Sequence, residues 1–245
     1  MNSEKRRLLM KVKITQLEMM RDRGYDISSE SFMLESDLEK DIDEYQKFYE
    51  SRIAEVSKIL PVAKKWNFID GHSNIYYHPK DGRSALVYYT GTLGEDSKKN
   101  LDKKSVTMFI GAVEKLRSER KTGIENFLGV MISQLPIQEQ TIKDYTGNQL
   151  LQFFEFNELA FNPTKHKLSP SYRLLTREDT EKKLKQIFGD ITGKPGIANL
   201  LPLIGIDDPI SRYYHAQSGL LFEIRNHESI PTKAAPITIS YRKVT

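Results

Sequence analysis

Apolar residues recur at helical spacing from the start of the chain. Leu9, Val12 and Met19, backed by Leu8, Ile14, Leu17 and Met20, predict an opening helix that Asn2 or Ser3 can cap. Arg21 and Arg23 ahead of Gly24 supply a cationic last turn and a left-handed stop. Residues 35–60 predict a second helix, acidic in its first turns (Glu35, Asp37, Glu39, Asp41, Asp43, Glu44) and apolar at Ile42, Tyr45, Phe48, Tyr49, Ile53 and Val56. Acid there complements the helix dipole, so those carboxylates read as a solvated face.

The pattern then shortens. Ile75–Tyr77 and Ala85–Tyr89 read as strands around the turn Pro79-Lys80-Asp81-Gly82. Gly91–Lys104 is polar and lysine-rich and reads as an exposed loop. Val106–Ala112, Phe127–Ile132 and Leu150–Phe156 read as further strands, with a helix or loop between each. Interleaved strands and helices predict an α/β layer for residues 1–160. Asn162-Pro163-Thr164 reads as the linker, because proline disfavours helix before it. In residues 161–245, Thr176-x-x-Asp179 reads as a capping box for a helix running to Phe188, with Leu184, Ile187 and Phe188 on its apolar face. Pro209 suits the first turn of a short helix carrying Arg212 and Tyr213. Leu220–Arg225 and Ile237–Arg242 alternate as strands, completing a small α+β domain.

Composition narrows the classes. The chain of 245 residues has 38% hydrophobic and 29% charged residues, the balance of a globular protein with a real core. No apolar run approaches the ~20 residues that span a bilayer, and the charged start lacks the apolar stretch of a secretory signal. With no cysteine there is no disulfide and no thiolate zinc site. The net charge of +4 gathers in residues 161–245, which carry 13 Lys and Arg against 8 Asp and Glu. That permits a nucleic-acid partner without demanding one.

Candidate chemistry is sparse. Asp37-x-Glu39-x-Asp41 opens like a calcium loop, but Ile42 stands where the turn needs Gly and Phe48 where the bidentate Glu belongs. The five histidines are scattered, Gly91-Thr92-Leu93-Gly94 lacks the Lys-Ser/Thr of a phosphate loop, and no catalytic residue, metal or cofactor is assigned. Asp81 and Asp96, with Lys80 and Lys98, can be arranged as a Mg²⁺-dependent nuclease, though both acids lie in turn-like segments. For nucleic acid, Lys98, Lys99, Lys103 and Lys104 flank a polar loop, and Arg117, Arg120 and Lys121 follow. Such cations can track phosphates without reading bases. A free-standing DNA-binding adaptor is a third reading.

The end of the chain carries five motifs in order. They are His166-x-Leu168-x-Pro170; Leu201-Pro202-x-Ile204; Asp208-Pro209-Ile210-Ser211-Arg212-Tyr213; Gly219 through Arg225; and Tyr241-Arg242. Together they resemble the C-terminal domain of the fifth subunit shared by the eukaryotic nuclear RNA polymerases, a domain that the archaeal polymerase carries as a small subunit of its own. Leu8–Ser28, with Asp22-Arg23-Gly24-Tyr25, resembles that fifth subunit's opening helix and turn. The resemblance implies a non-catalytic, divergent subunit, from a large DNA virus or a distant eukaryote. Its second domain would dock on the largest polymerase subunit, alongside other subunits. Its first would form part of the lower jaw beside downstream duplex DNA, with a restriction-endonuclease-like fold lacking catalytic residues. The docking residues implied are His166, Leu168, Pro170, Pro202, Asp208, Pro209, Arg212, Tyr213, Gly219, Arg225, Tyr241 and Arg242. The implied location is the nucleus, or a virion or cytoplasmic viral factory if the source is viral, with no membrane partner. Three segments depart from the family: Ser171-Tyr172 replaces a Lys-His pair, His227–Pro236 is longer and proline-bearing, and Ser133–Gln140 has no cation for DNA.

Overall fold

A computed structural model describes residues 3–35, 73–90, 100–101, 103–119, 127–138, 140, 145, 150–166, 169–189, 200–226 and 238–245. The expected second helix at 35–60 lies almost wholly outside these residues. The chain divides into two compact units, Met1–Phe161 and Asn162–Thr245.

The first unit is built on the sheet β1 (Ser73–Tyr77), β2 (Ser84–Thr90), β3 (Phe127–Ser133) and β4 (Leu151–Glu155), in that order across the sheet. β1 and β2 form an antiparallel hairpin, while β3 runs parallel to both β2 and β4. Parallel strands need both faces covered, and every residue of β2 and β3 is buried. Helix α1 (Ser3–Asp22) covers one face; a short α2 (Phe32–Glu35) follows it, and α3 (Lys103–Glu119) covers the other.

The α3 helix corrects two expectations. Val106–Ala112 is helix rather than strand: Val106, Phe109, Ile110 and Val113 fall at 3.6-residue spacing and pack on Leu86, Tyr88, Phe127 and Met131. The loop expected to run to Lys104 ends earlier. Leu101 is buried, its N–H donating to the Pro136 carbonyl at 2.9 Å, and Lys103 and Lys104 already belong to the helix. Gly129 lets α3 lie close on the sheet, because a Cβ there would stand 2.7 Å from a Val113 methyl.

On the opposite face α1 carries an ionic residue into the interior. Lys13 Nζ lies 3.0 Å from Glu30 Oε1 and donates to Gln16 Oε1 at 2.8 Å and to the Tyr76 hydroxyl at 3.1 Å. Glu30, in a 3₁₀ turn at Ser28–Glu30, also accepts from Asn74 at 2.9 Å and from the Tyr76 hydroxyl. Burial, then the charge of Glu30, pushes the Tyr76 and Tyr89 hydroxyls up, so both stay protonated donors. A buried charge pair is tolerated only when its remaining bonding capacity is met, and this cluster supplies those bonds. The helix ends at Gly24, whose φ of +89° is the left-handed stop expected from sequence.

The second unit holds the sheet β5 (Ser171–Leu174), β7 (Leu221–Asn226), β8 (Thr238–Val244) and β6 (Leu203–Ile204) in that order. Helix α4 (Arg177–Phe188) is capped by Thr176, whose hydroxyl accepts from the Asp179 N–H at 3.1 Å. Its expected apolar face is not core. Thr180 is the buried residue of α4, while Ile187 is exposed and Leu184 and Phe188 half-buried. The core forms instead on the other side of the sheet, from Ile204, Phe222, Ile224 and Val244 packed against Ile210 and Ala216. Ile210 comes from the short helix α5 (Pro209–Tyr214).

Candidate functional site

The residues singled out at the end of the chain divide by role. Asp208 caps α5, its side chain accepting from the Ile210 N–H at 2.8 Å, and Pro209 takes the first helical position, where a missing N–H costs nothing. Tyr213 is buried, and its hydroxyl accepts from Asn162 Nδ2 at 3.0 Å. The Asn162 side-chain oxygen in turn accepts from the N–H and hydroxyl of Thr164 at 2.9 and 2.7 Å. The segment expected to be a linker is therefore fastened into the second unit. Gly219 has φ +91° and donates to the Val244 carbonyl at 2.9 Å, a turn position that favours glycine. Asp208, Tyr213 and Gly219 thus hold the domain's own shape.

Others face outward. His166, Pro202, Pro209, Arg225 and Arg242 are exposed; Pro170, Arg212 and Tyr241 are half-buried; Leu168 lies outside the described residues. Arg225 and Tyr241 share one face of the sheet. The Arg225 guanidinium bonds Glu223 Oε1 at 3.0 and 2.8 Å, and the Tyr241 hydroxyl reaches Glu223 Oε2 at 3.4 Å. Lys183 Nζ stands 5.0 Å from the Tyr241 ring centroid. Arg242 projects to the opposite face, level with Phe222 on β7.

Two features escape a reading of the sequence. Asn162 reads there only as linker, although Asn before Pro is a capping signal. Around β6, Leu200, Leu203 and Ile206 are exposed, and Ile239 is exposed on β8. The Leu-Pro-x-Ile stretch flags the place without revealing that its neighbours point outward.

The cations considered for DNA do not form one patch. Lys103 and Lys104 are exposed on the first turn of α3. Arg117 is buried: it donates to the Phe127 carbonyl at 3.2 and 3.1 Å and to the Leu150 carbonyl at 3.0 Å, so its guanidinium braces the sheet and is withdrawn from any phosphate. Lys98, Lys99, Arg120 and Lys121 lie outside the described residues. Within Ser133–Gln140, the Ser133 hydroxyl donates to the Leu135 carbonyl at 2.7 Å and Ile137 is buried, which ties the segment to the core.

For the nuclease reading, Asp81 sits in the β1–β2 turn, 2.8 Å from Arg83 Nε and 2.9 Å from His78 Nδ1; Asp96 lies outside the described residues. Among the described residues no group of three His, Cys, Asp or Glu side chains converges as a metal site, and no helix is long and apolar enough to cross a membrane.

Comparison with known proteins meets this geometry at the second unit. Residues 161–244 match the family described as RNA polymerase Rpb5, C-terminal domain. The chain is 27% identical over 214 residues to subunit 5B of DNA-directed RNA polymerases IV and V of Arabidopsis thaliana, covering 86% of this chain and 79% of that one. It is 23% identical over 241 residues to subunit RPABC1 of DNA-directed RNA polymerases I, II, and III of Caenorhabditis briggsae, covering 96% and 95%. A third similar protein is DNA-directed RNA polymerase subunit 5-like protein 1 of Arabidopsis thaliana, 25% identical over 225 residues and 90% of each chain.

Proposed function

We propose, from the premise that this chain is a divergent relative of RNA polymerase subunit 5 and its second unit an Rpb5 C-terminal domain, that it is a non-catalytic subunit of a multisubunit DNA-dependent RNA polymerase. The observation that carries this is coverage. The family match spans all of the second unit but its last residue, and the relatives align through the first unit as well.

The finer parts of the reading are proposals of the same kind. The second unit docks on the largest polymerase subunit through its outward residues, among them His166, Pro202, Arg225 and Arg242. The first unit serves as the jaw beside downstream duplex DNA. A mixed sheet between two helices supports comparing it with restriction-endonuclease-like folds. Contact with DNA would be weak and sequence-independent, carried by exposed lysines such as Lys103 and Lys104. The nucleus is the proposed place of work.

Affinity purification of the native protein tests the reading. The two largest polymerase subunits should co-purify; recovery of the chain alone at native salt would sink it. A plasmid-nicking assay with Mg²⁺ checks the enzymatic alternative and should show no Asp81-dependent cleavage.

A further inference from the structure

Among the described residues the second sheet ends on β6, and no strand pairs with its outer edge. β6 lies parallel to β8, with Leu203 opposite Lys243 and Ile204 opposite Val244. The Pro202 carbonyl accepts from the Lys243 N–H at 2.9 Å, the Ile204 carbonyl from Thr245 at 3.0 Å, and the Ile206 N–H donates to the Thr245 carbonyl at 2.8 Å. Residues of a parallel strand bond alternately to either side. Pro202, Ile204 and Ile206 face β8, so the N–H and C=O of Leu203 point off the sheet. Pro202 does not blunt that edge, because its missing N–H lies on the β8 side.

The side chains along the edge are as telling. Leu200-Leu201-Pro202-Leu203-Ile204-Gly205-Ile206 contains no charged or polar side chain. Leu200 is 69%, Leu203 50% and Ile206 40% exposed. Exposed sheet edges are normally kept short or carry lysine, a bulge or an inward charge that discourages pairing. β6 is short, but no charged side chain guards it.

We infer that the β6 edge receives an extended segment of a polymerase partner chain, added as a further strand beside Leu203. The donor and acceptor of Leu203 supply the main-chain bonds. Leu200, Leu203 and Ile206 take apolar side chains of the incoming strand, as in other cases of strand addition. The inference rests on the subunit reading above and specifies the mode of docking. A second copy of this chain is a poor occupant: a two-residue strand and three side chains bury far less than the roughly 1,200 Å² at which stable interfaces begin. A segment of a larger partner held at other points has no such requirement.

Residue-resolved hydrogen exchange on the full chain, free and in affinity-purified polymerase, tests the idea. The Leu203 amide should exchange readily in the free chain and slow by about tenfold or more in the polymerase. Leu203→Pro, which removes the outward N–H as well as the side chain, should cut recovery of the largest subunits more than Leu203→Ala, which removes the side chain alone, with each variant's fold checked by thermal melting. Unchanged exchange at Leu203 in recovered polymerase overturns strand addition and leaves the subunit reading standing. Failure to recover any polymerase overturns both. Protection of Leu203 in the isolated chain, alone or with a doubled mass in sedimentation, overturns the proposal by showing the edge already occupied.

Discussion

The ammonium of Lys13 stands 3.0 Å from the carboxylate of Glu30, and both side chains are closed off from solvent. The pair joins α1 to the turn after it, and through Tyr76 and Asn74 to β1. Losing one partner strands the other charge. Lys13→Met or Glu30→Leu should each cost about 3–5 kcal/mol, whereas the two combined should cost less than the two single changes together. Urea unfolding of the four proteins measures the coupling directly.

The same pair sets an acid limit on stability. Burial alone would raise the Glu30 carboxyl, but the Lys13 charge and the bonds from Tyr76, Lys13 and Asn74 outweigh it and hold the group below the usual glutamate range. A carboxyl depressed in the folded state contributes stability that is complete above its ordinary pKa and lost as pH falls through the folded value. Unfolding free energy should therefore decline below the ordinary glutamate range, and Glu30→Gln should lose part of that slope. Urea titrations from neutral pH downward give the comparison; parallel curves for the two proteins would remove Glu30 from the account.

Gly24 is fixed twice over. Its φ of +89° suits glycine, and a Cβ there would stand 2.5 Å from His78 Nε2. Gly24→Ala should lower stability by about 1–3 kcal/mol, seen as a reduced melting temperature. Adding His78→Ala should recover the steric part and leave the conformational part. Full recovery would show that the backbone strain counts for nothing.

These residues show how unevenly the sequence discloses the fold. The Arg-Gly stop, the β1–β2 hairpin and the cap at Thr176 are legible because each is decided by residues within a few positions of one another. Val106–Ala112 misleads because a run of apolar and β-branched residues satisfies both periods, and Lys103-Lys104 is an unusual way to open a helix, setting cations against its dipole. Lys13 gives no sign of its burial, since its partner lies at position 30 and its further contacts at 76. Of the outward residues of the second unit, the motifs mark His166, Pro202, Pro209, Arg225 and Arg242. The exposure of Leu203 depends on which side of β8 the chain returns to, and periodicity does not carry that information.

Ser211 offers a test in the opposite direction. It is buried in α5, between Ile210 and Arg212, and among the described residues its hydroxyl has no hydrogen-bond partner. Burying an unpaired hydroxyl costs about 1–3 kcal/mol. Ser211→Ala should raise the melting temperature of the protein, and a lowered one would reveal a bond made by that hydroxyl in solution.

β8 is the last strand of its sheet in the chain yet an inner one, bonded to β7 on one side and β6 on the other. During synthesis β5, β6 and β7 emerge first, and β6 has no strand to join until residues 238–244 follow. The β5–β7 pair can form before then, but the four-stranded sheet is complete only when β8 takes its place between β7 and β6. A copy in which residues 238–244 have not joined the sheet leaves β6 without its bonding partner and one edge of β7 open, a mark by which cellular proteases can tell an incompletely folded copy from a folded one.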